Sequence, residues 1–238
     1  MRIATLPSLS AGETILCDSS RCHAKVVVFA ESGVLQPHTT IRSESIICLL
    51  CGTMVVHLEN DLLTLEAGQG IQIPAGKTWH GDALPDTVVL CLASFHPGFA
   101  PSHALTPPLA APHAFLITQP SPLIYTDYLR GAVLRFAPGW IAELHYHAHA
   151  DEIFWFLEGI CRISTLDTTY VASNGDVVIV DADEWHELTN IGNTPLLMFL
   201  VVAPNIVPSH TFRAGDGSHE VRSWQVIRHA PPLHQGTE

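Results

Sequence analysis

Short hydrophobic runs separated by turn residues recur along the whole chain. They are rich in Val, Ile, Leu, Thr and Phe, and none has the length and 3.6-residue periodicity of a long helix. This pattern is typical of antiparallel sandwiches and barrels, so the sequence predicts an all-β protein. The clearest runs are AKVVVFA, SIICLL, TMVVHL, TVVLCLASF, RGAVLRFA, EIFWFL, DVVIVD and PLLMFLVV.

A proline-dense segment interrupts the runs near the middle of the chain. Because proline cannot serve in central strands, we expect a linker over residues 101–122. It separates a first β-domain (1–100) from a second (123–204). The polar residues 205–238 are predicted to form a partly irregular tail.

The chain also resembles itself when it is shifted by 107 positions. Marked residue types coincide at this single shift, which is improbable by chance in a chain of 238 residues. We therefore expect a duplicated β-domain, with the second copy better defined. The matched pairs are Gly52 with Gly159, Gly68 with Gly175, and His38 with His145.

Composition narrows the possible partners. Only 14% of residues are charged while 47% are hydrophobic, which favours an oligomer, for which we expect a homodimer. The formal net charge of −12 argues against nucleic acid or an anionic membrane as a partner, since either needs clustered Lys and Arg.

The six cysteines lack the spacing of a disulfide framework. The N-terminus has no long apolar run, and no apolar stretch approaches the roughly 20 residues of a membrane span. The sequence therefore predicts a cytoplasmic protein with free thiols.

The candidate chemistry lies in the second copy. His145 and His147 are two residues apart, so on a strand they project from the same face, and Glu152 begins the next strand after a short corner. His186, further along, supplies a fourth candidate ligand. Three imidazoles and a carboxylate suit one divalent ion of Fe, Mn, Ni, Co or Zn and leave positions for water, substrate or O₂.

These residues resemble the two cupin motifs. Gly139 to Gly159 fits the first motif (glycine, five residues, His-x-His, three or four residues, Glu, six residues, Gly) at every fixed place. In the second motif Gly175, His186 and Asn190 match, whereas Asp181 and Asp183 replace the usual proline and glycine of a turn. The resemblance implies a bicupin, which consists of two double-stranded β-helix (jelly-roll) barrels.

Residues beside the ligands have two interpretations each. Glu143 shares strand parity with His145, so it is either an inward acid/base near the metal or the partner of an inward Arg such as Arg135 or Arg162. Phe154 and Phe156 share parity with Glu152 and either line a pocket or belong to the core. His149 is either a further ligand or a rim residue.

The first copy is degenerate. At the 107-residue shift, Thr40 takes the place of the second histidine. Glu44 is one residue short of the position equivalent to Glu152. Trp79 occupies the position equivalent to His186, and His80 follows it by one residue. Because a one-residue slip turns a side chain to the other face unless a bulge restores it, a site from His38, Glu44 and His80 and a purely structural barrel both stay open.

The resemblance implies metal-dependent chemistry, but cupins include enzymes of several classes and non-enzymatic proteins, so fold alone is a weak guide. Our leading hypothesis is a dioxygenase-like enzyme acting on a small organic substrate, with the metal on His145, His147, Glu152 and His186. The alternatives are a small-molecule-binding or sensing protein, and a metal-assisted isomerase or decarboxylase that needs no oxygen.

Overall fold

A computed structural model describes residues 1–5, 9–36, 43–59, 61–95, 111–117, 122–126, 128–205, 210–213 and 216–222. Within these ranges the chain forms strands and no helix, and so none that could cross a membrane. Through the first half the strands are β1 (Arg2–Thr5), β2 (Gly12–Asp18), β3 (Cys22–Phe29), β4 (Gly33–Leu35), β5 (Ser43–Cys51), β6 (Thr53–Leu58), β7 (Asp61–Glu66), β8 (Gln69–Ile73), β9 (Trp79–Ala83), β10 (Thr87–Phe95) and β11 (His113–Leu116). Through the second half they are β12 (Pro122–Tyr125), β13 (Arg130–Phe136), β14 (Ile141–Tyr146), β15 (Asp151–Glu158), β16 (Ile160–Thr165), β17 (Thr169–Ser173), β18 (Asp176–Val180), β19 (His186–Asn190), β20 (Leu196–Ala203), β21 (His210–Arg213) and β22 (His219–Arg222).

Each half of the chain forms a barrel from two antiparallel sheets. In the first barrel the sheets have the orders β11-β8-β5-β10-β3-β2 and β4-β9-β6-β7. In the second barrel the orders are β1-β18-β15-β20-β13-β12 and β17-β16-β19-β14-β21-β22. The all-β prediction and the duplicated barrel are confirmed.

The 107-residue shift relates strands of the two barrels. Adding 107 to the bounds of β6, β8 and β9 gives those of β16, β18 and β19. The repeated glycines mark the turns: Gly52 and Gly159 have φ values of +78° and +87°, in the left-handed region that favours glycine. A Cβ on Gly159 would also lie 2.9 Å from the carbonyl oxygen of Pro195, so this turn requires glycine.

The two barrels exchange edge strands, which the sequence did not predict. β1, from the start of the chain, pairs with β18 of the second barrel, and β11, from the predicted linker, pairs with β8 of the first. Each exchanged strand covers a sheet edge that would otherwise present unpaired backbone groups. The predicted tail also contributes, because β21 pairs with β14. Residues 96–110 and 223–238 lie outside the described residues.

Three buried clusters account for the alternation in the strands. One fills the first barrel, one fills the second, and one lies between the two large sheets. Along β15, Ile153 and Trp155 belong to the cluster between the barrels, whereas Phe154 and Phe156 belong to the interior of the second barrel. The period of two in side-chain direction therefore decides which residues reach the barrel interior.

Polar contacts between the barrels are arranged reciprocally. Ser19 Oγ of the first barrel donates to Asp151 Oδ2 of the second (2.8 Å). In the opposite direction, Thr126 Oγ1 of the second barrel donates to Glu44 Oε1 of the first (3.0 Å). Thr126 is equivalent to Ser19, and Glu44 to Asp151, by the 107-residue shift. Asp151 is fully buried and also accepts from Arg21. These carboxylates stabilise the junction of the barrels and face away from the barrel interiors.

Candidate metal centre

The four predicted ligands converge inside the second barrel. His145 lies on β14, His147 directly follows that strand, Glu152 lies on β15 and His186 begins β19. All four are buried, and one ligand atom from each lies within 4.8 Å of the others. This spacing can hold one metal ion between the two sheets of the barrel.

Backbone contacts orient two of the rings toward the common point. His145 Nδ1 donates to the carbonyl of Glu143 (2.6 Å), and His186 Nδ1 donates to the carbonyl of Glu184 (3.0 Å). Because Nδ1 of each ring is engaged, Nε2 is left to face the site. His186 Nε2 accordingly lies 3.0 Å from Glu152 Oε2.

His147 carries the strongest indication that this group of residues binds an ion. Its ring is 2% exposed, and neither Nδ1 nor Nε2 has a hydrogen-bond partner among the described residues. Nε2 is 3.1 Å from Glu152 Oε1 but without hydrogen-bond geometry. A buried polar atom without a partner is costly, by about 1–3 kcal/mol, and a metal ion at the common point would engage one of the two nitrogens. The residues therefore fit a metal.

Electrostatics keep the site in the protonation state that metal binding needs. Burial would raise the pKa of Glu152, but the neighbouring His147 and His186 outweigh it and hold that pKa well below its usual value. Burial, reinforced by His186 and His147, lowers the pKa of His145 well below its usual value. An ionised carboxylate and a neutral imidazole are the forms that bind metals.

Glu143 does not face the metal centre, contrary to the strand-parity prediction. The pairing of β14 with β19 shifts register between Ala142 and His145, and this irregularity leaves the Glu143 side chain exposed. Only its backbone carbonyl serves the site. The alternative prediction, that Arg135 or Arg162 points inward and pairs with Glu143, is wrong as well, because both arginines are exposed.

His149 is a rim residue. It lies exposed in the turn between His147 and Glu152, with φ +68°, and its side chain is outside the group of four ligand atoms. Phe154 and Phe156 belong to the buried interior of the second barrel, and the ring centroid of Phe154 lies 6.3 Å from that of His186.

Two residues beside the ligands escaped the sequence analysis. The ring of His210, on β21, lies 4.4 Å from His147 and 5.0 Å from His145, and burial together with His147 lowers its pKa to about 3. A signal existed, since Pro208-Ser209-His210 repeats Pro101-Ser102-His103 at the same 107 shift.

Arg130 is the second of these residues. It is 9% exposed at the start of β13, and burial lowers its pKa while the charge of Glu152 opposes that shift. Strand parity could have found it, because Arg130 alternates in step with Leu134 and Phe136, which pack on the interior of the second barrel.

The first barrel does not assemble the alternative site. Glu44 shares parity with residues of the cluster between the barrels and accepts hydrogen bonds from Gln72 and Thr126 there. His80 lies on the outer face, where its ring stacks on His57 at 4.2 Å, near Asp82. Ser45 and buried Trp79 occupy the places equivalent to Glu152 and His186. His38 lies outside the described residues.

Comparison with known proteins agrees with this architecture. Residues 132–202 match the cupin domain family. Similar solved structures include a cupin 2 conserved barrel domain protein from Leptotrichia buccalis, with a TM-score of 0.63 and 11% identity over 85% of this chain and 96% of that one. An oxalate decarboxylase from Lactobacillus farciminis, in a formate complex, gives 0.58 and 16% over 88% of each chain. A protein of unknown function from Pseudomonas syringae gives 0.60 and 17% over 84% and 89%.

No curated protein matches the sequence. The family match covers the barrel that carries the ligand group, and the structural matches extend over both barrels. Residues 132–202 thus match the cupin domain family, and the chain as a whole has the fold of a duplicated cupin barrel. The second barrel contains a buried group that can bind a metal.

Proposed function

We propose that this protein is a metal-dependent enzyme that acts on a small organic substrate inside its second barrel. His145, His147, Glu152 and His186 would hold one divalent ion. The observation that carries the proposal is the convergence of these four buried side chains, with the ring nitrogens of His147 left without a hydrogen-bond partner among the described residues. Buried polar atoms usually have a hydrogen-bond partner, and a metal ion would engage one of these two nitrogens.

Within this class we propose an oxygen-dependent oxidation, as in a dioxygenase. Four protein ligands leave coordination positions open, and a redox-active ion such as Fe(II) or Mn(II) would mediate electron transfer from the substrate, which is oxidised, to oxygen, which is reduced and incorporated into the product. The protein would position the substrate between the ion and apolar walls such as Phe154, and the buried site would exclude bulk water.

A second candidate is a metal-assisted decarboxylase. It is favoured by the structural similarity to oxalate decarboxylase over 88% of this chain. Such a reaction would use the same ligand group with a different net outcome, because carbon dioxide is released without net consumption of oxygen.

An oxygen electrode combined with carbon dioxide detection separates these reactions. Protein loaded with Fe(II), Mn(II) or Zn(II) would be assayed against small hydroxylated and carboxylated compounds, with His186→Ala as the inactive variant and exposed His149→Ala as its matched control. We expect oxygen uptake with Fe(II) or Mn(II) and none with Zn(II), which has no redox chemistry. Carbon dioxide release without oxygen uptake would favour the decarboxylase, and turnover that survives in His186→Ala would refute a role for the centre.

A further inference from the structure

Two histidines and an aspartate lie together on the outer face of the first barrel. His57 on β6 is directly opposite His80 on β9, and Asp82 follows His80 by two residues. Residues opposite each other on neighbouring strands project from the same face, as do residues two apart on one strand. The adjacent Val56 and Gly81 are buried. The three polar side chains therefore form one group outside the barrel.

These three side chains lie within reach of a single ion. His57 Nε2 is 2.8 Å from Asp82 Oδ2, and the rings of His57 and His80 stack with their centroids 4.2 Å apart. One ligand atom from each residue lies within 4.8 Å of the other two. Ligand atoms that each lie about 2.0–2.1 Å from one tetrahedral zinc ion are about 3.3 Å apart. Rotations of these partly exposed side chains by small angles would close that difference.

The donor set suits a zinc-type ion. Imidazole nitrogens and a carboxylate oxygen are ligands of zinc and of the neighbouring first-row divalent ions. On binding, His57 and Asp82 would exchange their mutual hydrogen bond for bonds to the metal. The strand register therefore positions the three ligands before the ion arrives, and only their side chains need to turn.

A surface groove of about 510 Å³ adjoins the two histidines. Glu59 and Asp61 also line this groove, and Lys77 pairs with Glu59 at 3.0 Å. Together with Asp82, the carboxylates of the groove create a negative potential that favours a cation. The groove also leaves room for water or a small ligand at the coordination positions that the protein does not fill.

We propose that His57, His80 and Asp82 form a second metal site, for a divalent ion of the zinc type, on the outer face of the first barrel. It is separate from the centre in the second barrel and does not depend on the proposed function. The outer site has one ligand fewer, and solvent screens its carboxylate. It therefore binds its ion more weakly than the buried centre and loses it on dialysis against metal-free buffer.

Equilibrium dialysis against buffer with a fixed free concentration of Zn(II) tests this site. Elemental analysis of the protein compartment counts the bound ions, and isothermal titration with Zn(II) gives their affinities. The variants are His80→Ala, Asp82→Asn, His186→Ala, which removes a ligand of the buried centre, and the double variant His80→Ala/His186→Ala. Exposed His113→Ala, on β11 of the first barrel, is the matched control.

We expect wild-type protein and His113→Ala to hold two ions per chain at equilibrium, the single variants His80→Ala and His186→Ala to hold one, and the double variant to hold none. Loss of a residue that only supports a metal ligand already lowers affinity about 10- to 100-fold, so the outer site should bind Zn(II) at least about 10-fold more weakly in Asp82→Asn. The comparison of wild type with His80→Ala serves as the test if His186→Ala does not fold.

Two results would overturn the inference and leave the proposed function standing. One is a wild-type protein with a single ion that His80→Ala keeps, and the other is an equal loss of binding in His113→Ala, which would show adventitious binding by exposed histidines only. A single ion that His80→Ala loses and His186→Ala keeps would support the outer site and contradict the buried centre on which the proposed function depends.

Discussion

Replacing Asp151 by alanine tests the contact that joins the two barrels. This carboxylate is fully buried, and four donors point at it: Arg21 Nε (3.0 Å), Arg21 Nη2 (2.8 Å), Ser19 Oγ (2.8 Å) and the backbone N–H of Ala182 (2.9 Å). Two of these donor residues come from the first barrel and one from the second. Asp151→Ala therefore removes a buried charge at the junction and deprives all four donors of their acceptor.

The magnitude follows from burial on the two sides of the pair. Breaking a buried ion pair by removing one partner costs about 3–5 kcal/mol. The Arg21 side chain is 33% exposed and regains some water when the carboxylate is lost, so we expect the lower end, about 3 kcal/mol. For a chain of this size that corresponds to a fall in Tm of about 6–12 °C.

Urea unfolding followed by tryptophan fluorescence measures this effect. Exposed Glu158→Ala, on the same strand, is the control and should change the free energy of unfolding by less than about 0.5 kcal/mol. The metal content should not change, because Asp151 and Glu152 project from opposite faces of β15. An Asp151→Ala variant as stable as the control would refute the account of the junction.

Three further predictions concern the metal centre and its surroundings. In the metal-free protein, burial keeps the pKa of His145 well below 6.5 and that of His210 at about 3, so the unfolded state takes up protons that the folded state does not. The free energy of unfolding should therefore be highest above pH 6.5 and fall on acidification by about 1.4 kcal/mol per pH unit for each of the two histidines. Urea titrations between pH 6 and 5 measure this slope, and His210→Gln should halve it. His210→Ala should keep its metal, since His210 lies outside the group of four ligand atoms, and elemental analysis checks this; loss of the ion would make His210 a ligand. Asp183 has φ +66°, so Asp183→Val should lower the free energy of unfolding by about 1–2 kcal/mol while Asp183→Gly does not; equal stability of the two variants would contradict the strain.

The alternation of side chains along a strand predicted which residues face the interior of the second barrel. The two-residue spacing of His145 and His147, and the placement of Glu152, Phe154 and Phe156 on one face, depend only on the local geometry of a strand. The repeat at 107 residues located the equivalent strands of the first barrel. The repeat also showed that Glu44 is offset by one residue from the Glu152 position, but it left open whether a bulge restores the face; in the structure Glu44 faces the cluster between the barrels.

Parity failed where strand geometry is irregular. The register shift between Ala142 and His145 exposes Glu143, and the local residue types do not predict this shift. The exchange of β1 and β11 depends on which sheet edges meet after both barrels form, so it is a long-range property. His210 was not predicted because it lies in the tail, beyond the two expected β-domains. A homodimer and a cytoplasmic location stay predictions.

Metal content, measured by elemental analysis of purified protein, tests the central claim most directly. Wild-type protein and His149→Ala should each retain about one divalent ion per chain after dialysis, and His147→Ala should retain none, because its ring is one of the four converging ligands while the ring of His149 is exposed at the rim. Wild-type protein that binds no ion after loading, or His147→Ala protein that keeps its ion, would contradict the assignment of the metal centre.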